Sequence, residues 1–394
     1  MAPSVFISAG EASGEQYGAL LANELIHKLG HDVELFGMGG PKMEAAGVEC
    51  VVRSEDVAVM GLTEVLSHLP GIWREFQKLK QALRQRRPAV AVLIDFPGFH
   101  FRLARELHKL GIPVIYFVGP QLWAWKAHRI KLVRKYVRQM LVIFPFEEPY
   151  YRERGVAASF VGHPLAELPP PAINRQDFAA RSGLDPEKIW IGLLPGSRLK
   201  EIEANLPEIL RAAKLLHQQS TDREFVLPLA ATLDAARRTR VLLLVEQFGG
   251  GLPVRLVDDA RATLFHARAS VVASGTATVE AALVGNPFVV VYRVSAVTYA
   301  IARQIVKVQH VAMANLIAGK EAVPELIQHD FTAEKIVQHL ETLLPDGSTR
   351  ESMKEELAAI RQALGGGGAI ARVAEFVTRE LHLSSPAAVA ASQP

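Results

Sequence analysis

Residues 271–280 read Val271-Val-Ala-Ser274-Gly275-Thr276-Ala-Thr278-Val-Glu280, an apolar run that passes through small residues into a helical pattern. A strand, a turn and a helix in this order are typical of parallel α/β folds. The first backbone N–H groups of such a helix have no helical partner and lie at the positive end of its dipole, so they can bind a phosphate. Glu280, one turn beyond Thr276 on the same face, can accept hydrogen bonds from a ribose diol. The alternative is an ordinary helix with a serine N-cap and a solvated glutamate.

A second loop of this kind follows the apolar residues Trp190 to Leu194 and reads Pro195-Gly196-Ser197-Arg198. Ser197 offers a hydroxyl, and Arg198 offers a planar cation that can bind a diphosphate through two hydrogen bonds. A surface arginine after a turn is otherwise commonly just solvated. Two strand-end loops in one half of the chain favour a nucleoside diphosphate as the ligand.

Strand and helix patterns alternate along both halves of the chain. The first half contains five predicted strands, at Ser4 to Ala9, Val33 to Phe36, Ala89 to Ile94, Val114 to Phe117 and Met140 to Ile143. The second half contains five more, at Trp190 to Leu194, Glu224 to Leu229, Val254 to Val257, Ser270 to Ala273 and Phe288 to Tyr292. The proline-rich residues 165–173 between the halves are predicted to form a linker.

This alternation predicts an α/β protein with two doubly wound, parallel-sheet, Rossmann-like domains that face each other across a cleft. The predicted domains are residues 1–165 and residues 175–348. Residues 349–383 are predicted to form C-terminal helices, and residues 384–394 a disordered tail. Both phosphate-type loops then lie at carboxyl ends of strands in the second domain, where such sheets bind ligands.

The composition is that of a folded protein with more than one core: 394 residues, 49% hydrophobic and 22% charged. Cys50 is the single cysteine, so an internal disulfide and a cysteine metal cluster are excluded, which fits a reducing cytoplasm. We expect no secretory signal, because the N-terminal residues enter a predicted strand directly. No apolar run approaches the roughly 18 residues of a membrane-spanning helix, so any membrane contact is expected to be peripheral.

The excess of positive charge lies in the first half of the chain. Residues 1–170 contain 20 Lys and Arg against 17 Asp and Glu, whereas the remainder has 24 of each. The excess concentrates in a first basic cluster, residues 74–87, and a second basic cluster, residues 126–138. The apolar segment 57–73 precedes the first cluster, and this combination is typical of a peripheral binder of anionic lipid. The alternative is a core segment beside a solvated helix, and no nucleic-acid-reading motif accompanies either cluster.

A glycine-rich segment, Gly10-Glu11-Ala-Ser13-Gly14, follows the first predicted strand and opens a helix. It lacks the Gly-x-Gly-x-x-Gly spacing of dinucleotide-binding loops, and the chain has no Gly-x-x-x-x-Gly-Lys-[Ser/Thr] segment, so the sequence favours neither NAD nor a P-loop ATP site. Our interpretation is a loop whose glycines let the backbone approach a sugar.

Asp95 directly follows an apolar predicted strand and precedes Phe96-Pro-Gly-Phe99. Partial burial beside these aromatic rings would raise the pKa of its carboxyl towards a value suited to a general base. The alternative is an N-cap aspartate. His100 and His163 are further candidate bases, but for each we favour a hydrogen-bonded structural histidine.

Eight motifs in order along the chain form a specific resemblance. They are Gly10-Glu-Ala-Ser-Gly14, Asp95-Phe-Pro-Gly-Phe99, Pro120-Gln-Leu-Trp123-Ala-Trp125, Phe144-Pro-Phe-Glu147, Phe160-Val-Gly-His163-Pro164, Leu194-Pro-Gly-Ser-Arg198, Ser274-Gly-Thr-Ala-Thr-Val-Glu280 and Asn315-Leu-Ile-Ala-Gly319. Each motif alone is weak. The ordered set, which extends from about residue 4 to about residue 345, resembles lipid-A-disaccharide synthase.

That resemblance implies an inverting glycosyltransferase of the two-Rossmann, GT-B type. Such an enzyme joins UDP-2,3-diacylglucosamine to 2,3-diacylglucosamine 1-phosphate, forms a β-1,6-linked disaccharide and releases UDP. By position, Asp95 is then the base that accepts the proton of the acceptor 6-hydroxyl, and Arg198 assists departure of the diphosphate. The donor UDP-sugar is held by Ser197, Arg198, Ser274, Gly275, Thr276, Glu280, Gln309 and Asn315.

The resemblance also implies that the reaction needs no cofactor and no metal, and the sequence has no Asp-x-Asp motif. Arg198 and the helix dipole then replace a cation. The first domain supplies a sugar or acceptor loop, formed by Gly10, Glu11, Ser13 and Gly14. It also supplies apolar residues expected to contact acyl chains or the membrane, namely Leu69, Trp73, Trp123 and Trp125.

The implied partners are the two lipid substrates and an anionic membrane surface, with the protein in the cytoplasm at the inner membrane. Glu15 and Ala314 depart from the family pattern, where an aspartate and a proline are usual. The motifs specify neither the acyl chains nor the oligomeric state, although the run Gly365 to Gly368 would permit a homodimer that exchanges its last helix.

Two alternatives come from other classes of protein. A UDP-sugar 2-epimerase shares the two-domain architecture and a diphosphate site, but it would need no basic and apolar face. A non-catalytic lipid-binding module would not need Arg198 and Glu280, which are both present.

Overall fold

The computed structural model describes residues 3–57, 62–230, 232–294 and 310–383, with backbone only for residues 62–69. The chain forms two compact units. The first contains the residues up to Glu167 and the segment that begins at Leu364, and the second contains Leu168–Ala363.

The first unit is built on a parallel sheet of seven strands in the order β3-β2-β1-β4-β5-β6-β7. Its central strands are apolar on both faces because helices cover both sides, and every residue of β4 is buried. The strands are β1 (Ser4–Ala9), β2 (Glu34–Gly39), β3 (Glu49–Arg53), β4 (Val90–Ile94), β5 (Val114–Phe117), β6 (Gln139–Val142) and β7 (Ala158–Phe160).

Most helices of the first unit follow their strands after short loops, whereas longer segments follow β3 and β5. These helices are α1 (Ala12–Leu29), α2 (Pro41–Ala45), α3 (Leu62–Arg86), α4 (Pro97–Lys109), α5 (Ile130–Tyr136) and α6 (Glu147–Arg152). Short 3₁₀ turns lie at Ser54–Asp56, Ala127–Arg129 and Pro164–Glu167. The aromatic core includes Phe6, Phe36 and Tyr116, all fully buried.

The second unit has a parallel sheet of six strands in the order β10-β9-β8-β11-β12-β13. Its strands are β8 (Ile189–Leu194), β9 (Arg223–Pro228), β10 (Val254–Val257), β11 (Ala269–Ala273), β12 (Phe288–Tyr292) and β13 (Glu325–Ile327). Its described helices are α7 (Arg175–Ser182), α8 (Leu199–Gln219), α9 (Ala235–Gly249), α10 (Ala260–His266), α11 (Thr276–Val284), α12 (Met313–Ala318), α13 (Ala333–Leu343) and α14 (Ser348–Ala363).

The last described helix, α15 (Ala369–Leu383), belongs to the first unit and packs against α1. Arg372 anchors it through Nε, which donates to the carbonyl of Val161 at 2.8 Å. The four glycines 365–368 before it all have positive φ, a conformation that L side chains rarely adopt. Residues 349–383, grouped by their sequence as C-terminal helices, are thus divided between the two units, and the predicted tail lies outside the described residues.

All ten predicted strands are present, within two or three residues of their predicted ends. Three further strands were not predicted. β3 is an edge strand with exposed residues at both ends, and β7 and β13 have three residues each, so neither a continuous apolar run nor a clear alternation marks them.

Candidate active site

Asp95 lies at the carboxyl end of β4, in a backbone conformation that is costly for residues with a side chain. Asp95 and Phe96 both have a φ of 50°. Phe96, and not Asp95, is the N-cap residue of α4. Asp95 is therefore not an ordinary N-cap aspartate, and consecutive left-handed residues of this kind concentrate at functional sites.

Three hydrogen bonds fix the backbone of Asp95. Its carbonyl oxygen accepts from the Tyr116 hydroxyl and interacts with Nδ1 of His100, both at 2.6 Å. Its N–H donates to the carbonyl of Phe117 at 3.0 Å. The strained turn is thus held by β5 and α4, which fix the peptide that carries the Asp95 side chain.

The pKa of the Asp95 carboxyl is raised to about 6. Burial is the main cause, the negative charge of Glu11 adds to it, and the backbone N–H of Phe96 opposes it. The burial that the sequence predicted for this carboxyl is present. A carboxylate with this pKa is largely ionised at neutral pH and still basic enough to accept a proton in a transition state.

Both histidines are structural. His100 is fully buried, and its Nε2 lies 2.8 Å from the Ser8 hydroxyl. Nδ1 of His163 accepts from the N–H of Leu165 at 3.2 Å. Burial lowers the pKa of each imidazole to about 4, so both are neutral at physiological pH. This agrees with their interpretation as hydrogen-bonded structural residues and leaves Asp95 as the candidate base.

The glycine-rich loop lies at the start of α1, beside the Asp95 turn. A Cβ atom on Gly10 would lie 2.2 Å from Cδ1 of Phe96, so the ring of Phe96 occupies the space that the glycine leaves. The small size of Gly10 thus allows close packing between two loops, and the interpretation of this segment as a sugar loop stays a prediction. Glu11 and Ser13 are exposed, whereas Gly14 is buried.

The tryptophans of the first unit differ in environment. Trp73 is 65% exposed and Trp125 is 46% exposed. Nζ of Lys126 lies 3.9 Å from the centre of the Trp125 ring. Trp123 is half-buried and hydrogen-bonded. The side chain of Leu69 lies outside the described residues. Two large exposed rings, one beside a lysine, are the kind of surface that binds a lipid interface.

In the second unit, the loop after β8 presents Ser197 and Arg198, both exposed. Gly196 has a φ of 127°, which permits the tight turn. Nη1 of Arg198 lies 3.2 Å from the Glu201 carboxylate, and the Arg198 side chain is 61% exposed. An ion pair this exposed is weak, so the guanidinium remains available to an anionic ligand.

The loop after β11 leaves the N-terminus of α11 uncapped. Gly275 is the N-cap residue, with a φ of 147°, and no side chain caps the helix. The Ser274 hydroxyl donates instead to the carbonyl of Val311 at 3.2 Å. The alternative of an ordinary serine N-cap is therefore excluded. The exposed amides of Gly275 and Thr276 lie at the positive end of the helix dipole, where an anion is stabilised.

Glu280 lies one turn beyond Thr276 on α11 and is half-buried. Burial raises the pKa of its carboxyl, the positive charge of Arg261 opposes that shift, and the charge of Asp259 adds to it. Because Glu280 and Thr276 are four residues apart, both lie on the face of α11 that leads away from the uncapped amides.

Of the two remaining predicted donor residues, Gln309 lies outside the described residues. Asn315 is fully buried. Its Nδ2 donates to the Val323 carbonyl and to Glu325 Oε1, and its Oδ1 accepts from the N–H groups of Ala322 and Val323. All four hydrogen-bonding positions of this amide are used within the chain. In this structure Asn315 therefore shapes the chain and has no free group for a sugar.

Among the described residues, no three His, Cys, Asp or Glu side chains are grouped to hold a metal ion. Within the same residues, no helix combines the length and the apolar character needed to cross a membrane.

Known proteins show the same relationship along nearly the whole chain. The family described as lipid-A-disaccharide synthetase matches residues 5–371. The chain belongs to the lipid-A-disaccharide synthase family. It is 56% identical to the lipid-A-disaccharide synthase of Acidobacterium capsulatum over 94% of this chain and 95% of that protein. It is 52% identical to the lipid-A-disaccharide synthase of Koribacter versatilis, over 96% of this chain and 97% of that protein. The resemblance predicted from the eight ordered motifs is confirmed.

Solved structures show the fold that this member of the lipid-A-disaccharide synthase family shares with other proteins. The calicheamicin glycosyltransferase matches with a TM-score of 0.58 and 20% identity, over 98% of this chain and all of that chain. The UDP-GlcNAc 2-epimerase of Neisseria meningitidis, bound to UDP-GlcNAc, matches with a TM-score of 0.64 and 13% identity. The match covers 96% of this chain and 100% of that chain. The predicted α/β class with two parallel-sheet domains is confirmed. At these identities the likeness concerns the fold alone, so the epimerase alternative has support from fold and not from sequence.

Two carboxyls of this lipid-A-disaccharide synthase family member were not predicted as site residues. Glu325, at the start of β13, accepts hydrogen bonds from the N–H groups of Val311 and Ala312 at 2.9 and 3.0 Å. Glu147, at the start of α6, is buried and bonded to Trp123. Glu147 ends one of the eight motifs, which is a signal in the sequence, whereas Glu325 carries none.

Proposed function

We propose that this chain transfers 2,3-diacylglucosamine from its UDP derivative to 2,3-diacylglucosamine 1-phosphate, giving the β-1,6-linked lipid A disaccharide 1-phosphate and UDP. The uncapped N-terminus of α11 carries the proposal, because a diphosphate satisfies the amides that no side chain caps. Membership of the lipid-A-disaccharide synthase family supports the choice of substrates.

In the proposed reaction Asp95 accepts the proton of the acceptor 6-hydroxyl. The resulting oxygen nucleophile attacks the anomeric carbon of the donor from the face opposite the diphosphate. The bond between that carbon and the diphosphate oxygen breaks, and UDP leaves with the electron pair. The configuration at the anomeric carbon is therefore inverted, and Asp95 ends the step protonated.

The second unit stabilises the negative charge that develops on the leaving diphosphate. Arg198 supplies a permanent positive charge, and Ser197 and the amides of Gly275 and Thr276 supply neutral donors. Glu280 accepts from the ribose hydroxyls one turn further along α11. These groups fulfil the role that a metal ion has in other nucleotide-sugar transferases, so the proposed reaction needs no metal or cofactor.

The same proposal includes peripheral contact of the protein with the anionic cytoplasmic surface of a membrane, because both substrates are lipids. Trp73 and Trp125 are exposed, and the second basic cluster is largely exposed on α5 and its flanks. Apolar rings beside basic side chains suit a headgroup layer of negative charge. A homodimer that exchanges α15 is the oligomeric form that the glycines 365–368 would allow, and light scattering tests whether the chain is a dimer.

The test is release of UDP from UDP-2,3-diacylglucosamine in detergent, with EDTA throughout and with or without 2,3-diacylglucosamine 1-phosphate. The proposal requires release that depends on the acceptor, resists EDTA and yields a disaccharide. Release without acceptor, together with isomerisation of the sugar, would instead identify an epimerase.

A further inference from the structure

Glu147 is a buried carboxyl at the carboxyl end of the first sheet that the proposed reaction does not use. It is 1% exposed. Oε1 accepts a hydrogen bond from the indole Nε1 of Trp123 at 3.1 Å, and Oε2 accepts from the N–H of Phe144 at 3.2 Å. The carboxyl thus joins the loop after β5 to the loop after β6.

The loop after β5 is held from α6 at several points. The hydroxyls of Tyr150 and Tyr151 donate to the carbonyls of Leu122 and Pro120 at 2.9 and 2.8 Å. Those two bonds fix backbone, whereas the bond to Glu147 fixes a side chain. The Trp123 ring also packs edge-on against Phe146, with ring centres 5.0 Å apart. Glu147 therefore holds the indole N–H, and Phe146 packs against the indole ring.

Binding an indole N–H through a buried carboxyl has a free-energy cost, because removing the carboxyl from water disfavours its charged form. The pKa of Glu147 is accordingly raised to about 7, with burial as the main cause. Its bonds from Trp123 and from the loop backbone oppose the shift, and the negative charge of Asp95 adds to it. A glutamine has one acceptor oxygen, so it could not accept from both the Trp123 indole and the Phe144 N–H as the two carboxylate oxygens do. A titratable group kept here in spite of its burial points to a role in the site.

The groups that act electrostatically on this carboxyl come from three elements. Asp95 lies at the end of β4, Trp123 lies in the loop after β5, and Tyr151 lies on α6 itself. His163 lies behind Phe144, with ring centres 5.5 Å apart, and is neutral because burial lowers its pKa to about 4. Burial is therefore the main influence on the charge of Glu147, the hydrogen bonds from Trp123 and from the loop backbone come next, and the charge of Asp95 is the smallest.

We propose that Glu147 is a positioning residue for the acceptor: it orients the Trp123 indole at the acceptor side of the site, and it holds that indole more firmly when the carboxyl is ionised. The inference rests on the proposed function, in which the first unit binds the acceptor lipid. A hydrogen bond to a charged carboxylate is stronger than one to a neutral carboxyl.

The direction of the pH effect follows. Asp95 loses its proton near pH 6, and Glu147 loses its own near pH 7, beside an Asp95 that is already charged. As pH rises through about 7, the indole bond passes from a neutral to a charged acceptor and becomes stronger. The KM for the acceptor should therefore fall over this range, while the KM for the UDP-sugar should not follow it.

The test compares Glu147→Gln, Trp123→Phe and the double variant, with Glu148→Gln as a matched control. Glu148 is the next residue of α6, and its carboxylate bonds to the N–H of Phe160 and to Arg152, away from Trp123. In the first measurement, tryptophan fluorescence is recorded from pH 5 to pH 9 without substrates. The wild-type chain and Glu148→Gln should show a transition near pH 7, and the variants at Glu147 and Trp123 should lack it.

The second measurement separates the KM values of the two substrates. Glu147→Gln and Trp123→Phe should each raise the acceptor KM roughly tenfold, the scale of one hydrogen bond to a charged group, and the double variant should be no worse. An unchanged acceptor KM, or equal losses for both substrates together with a lower Tm, would overturn the proposal. The fluorescence transition can be measured without any transfer reaction. If the wild-type chain lacks the transition, the role proposed for Glu147 is wrong. If the wild-type chain lacks transfer, the proposed function is wrong.

Discussion

Nδ1 of His100 lies 2.6 Å from the backbone carbonyl oxygen of Asp95, so a buried imidazole fixes the peptide that carries the proposed base. Because the pKa of His100 is lowered to about 4 by burial, the ring is neutral, with one nitrogen as donor and the other as acceptor. Donation from Nδ1 to this carbonyl leaves Nε2 to accept from the Ser8 hydroxyl, 2.8 Å away. One tautomer satisfies both bonds.

His100→Ala should lower both stability and turnover. The change leaves a buried hydroxyl and a carbonyl without this partner, at a cost of about 1–3 kcal/mol in the free energy of unfolding. The strained Asp95 turn then loses one of its supports, and kcat should fall about tenfold while the Kd for UDP stays within about twofold. Denaturant unfolding, kinetics and calorimetry with UDP measure the three effects. A normal kcat in a destabilised variant would separate His100 from the function of Asp95.

Asp95→Asn should remove most turnover and little UDP affinity. The amide cannot accept a proton, and loss of a general base typically costs about 100-fold or more in kcat. In the wild-type chain the base must be ionised, so kcat/KM should rise with pH through a midpoint near 6 and level off above about 7. This acid limb should be missing from the residual activity of the variant. A large loss of UDP binding would contradict the assignment of Asp95 as the base.

The same substitution should stabilise the protein at high pH. The unfolded carboxyl has the ordinary pKa of 3.8, and the folded one has a pKa of about 6. Between these values the unfolded chain is ionised and the folded chain is protonated, so stability falls as pH rises through that window and stays reduced above pH 6. Asp95→Asn should therefore raise the Tm at pH 8 and have little effect at pH 4. The exposed Asp56, changed to Asn, is the control and should shift the Tm little at either pH.

Arg198→Lys tests whether the guanidinium binds the diphosphate through its planar geometry. Lysine keeps the charge but loses the two-pronged donor set, so kcat/KM should fall about tenfold, and Arg198→Ala should cost about 100-fold. Arg237→Lys is the matched control, because Arg237 also pairs with an acid three residues away at the start of a helix. Wild-type activity of the Lys variant would show that the fork geometry is not used.

The parts of the fold that were predictable from sequence are those that local patterns specify. Contiguous apolar runs such as Val90–Ile94 and Ile189–Leu194 mark central parallel strands, and the residues that follow them lie at the ligand-binding edge. Asp95 and Arg198 were therefore found as candidates from position alone. The short strand Glu325–Ile327 has no such pattern, and it is held by pairing with β12.

What could not be predicted depends on contacts between residues distant in the sequence. Trp123 and Glu147 are 24 residues apart, and their side chains meet only because β5 and β6 are neighbours in the sheet. Asn315 was assigned to the donor by resemblance, yet the structure uses its whole amide to join α12 to residues 322–325. A motif identifies which residue is constrained, whereas the contacts show what constrains it.

Binding to anionic vesicles should depend on both charge and exposed aromatic rings of the first unit. Each well-placed basic side chain contributes about 1 kcal/mol, and this attraction is screened by salt. Lys131→Glu with Arg134→Glu, at two exposed positions of the second basic cluster, should reduce binding strongly at about 0.1 M salt.

Trp125→Ser should reduce the same binding at every salt concentration, because apolar insertion is not screened. Arg361→Glu, at an exposed position of the second unit, is the charge-reversal control and should bind as the wild type does. Co-sedimentation with anionic and with zwitterionic vesicles at low and high salt measures all the variants. If wild-type binding were independent of salt and of vesicle charge, the contact would be purely apolar, and the second basic cluster would have no part in it.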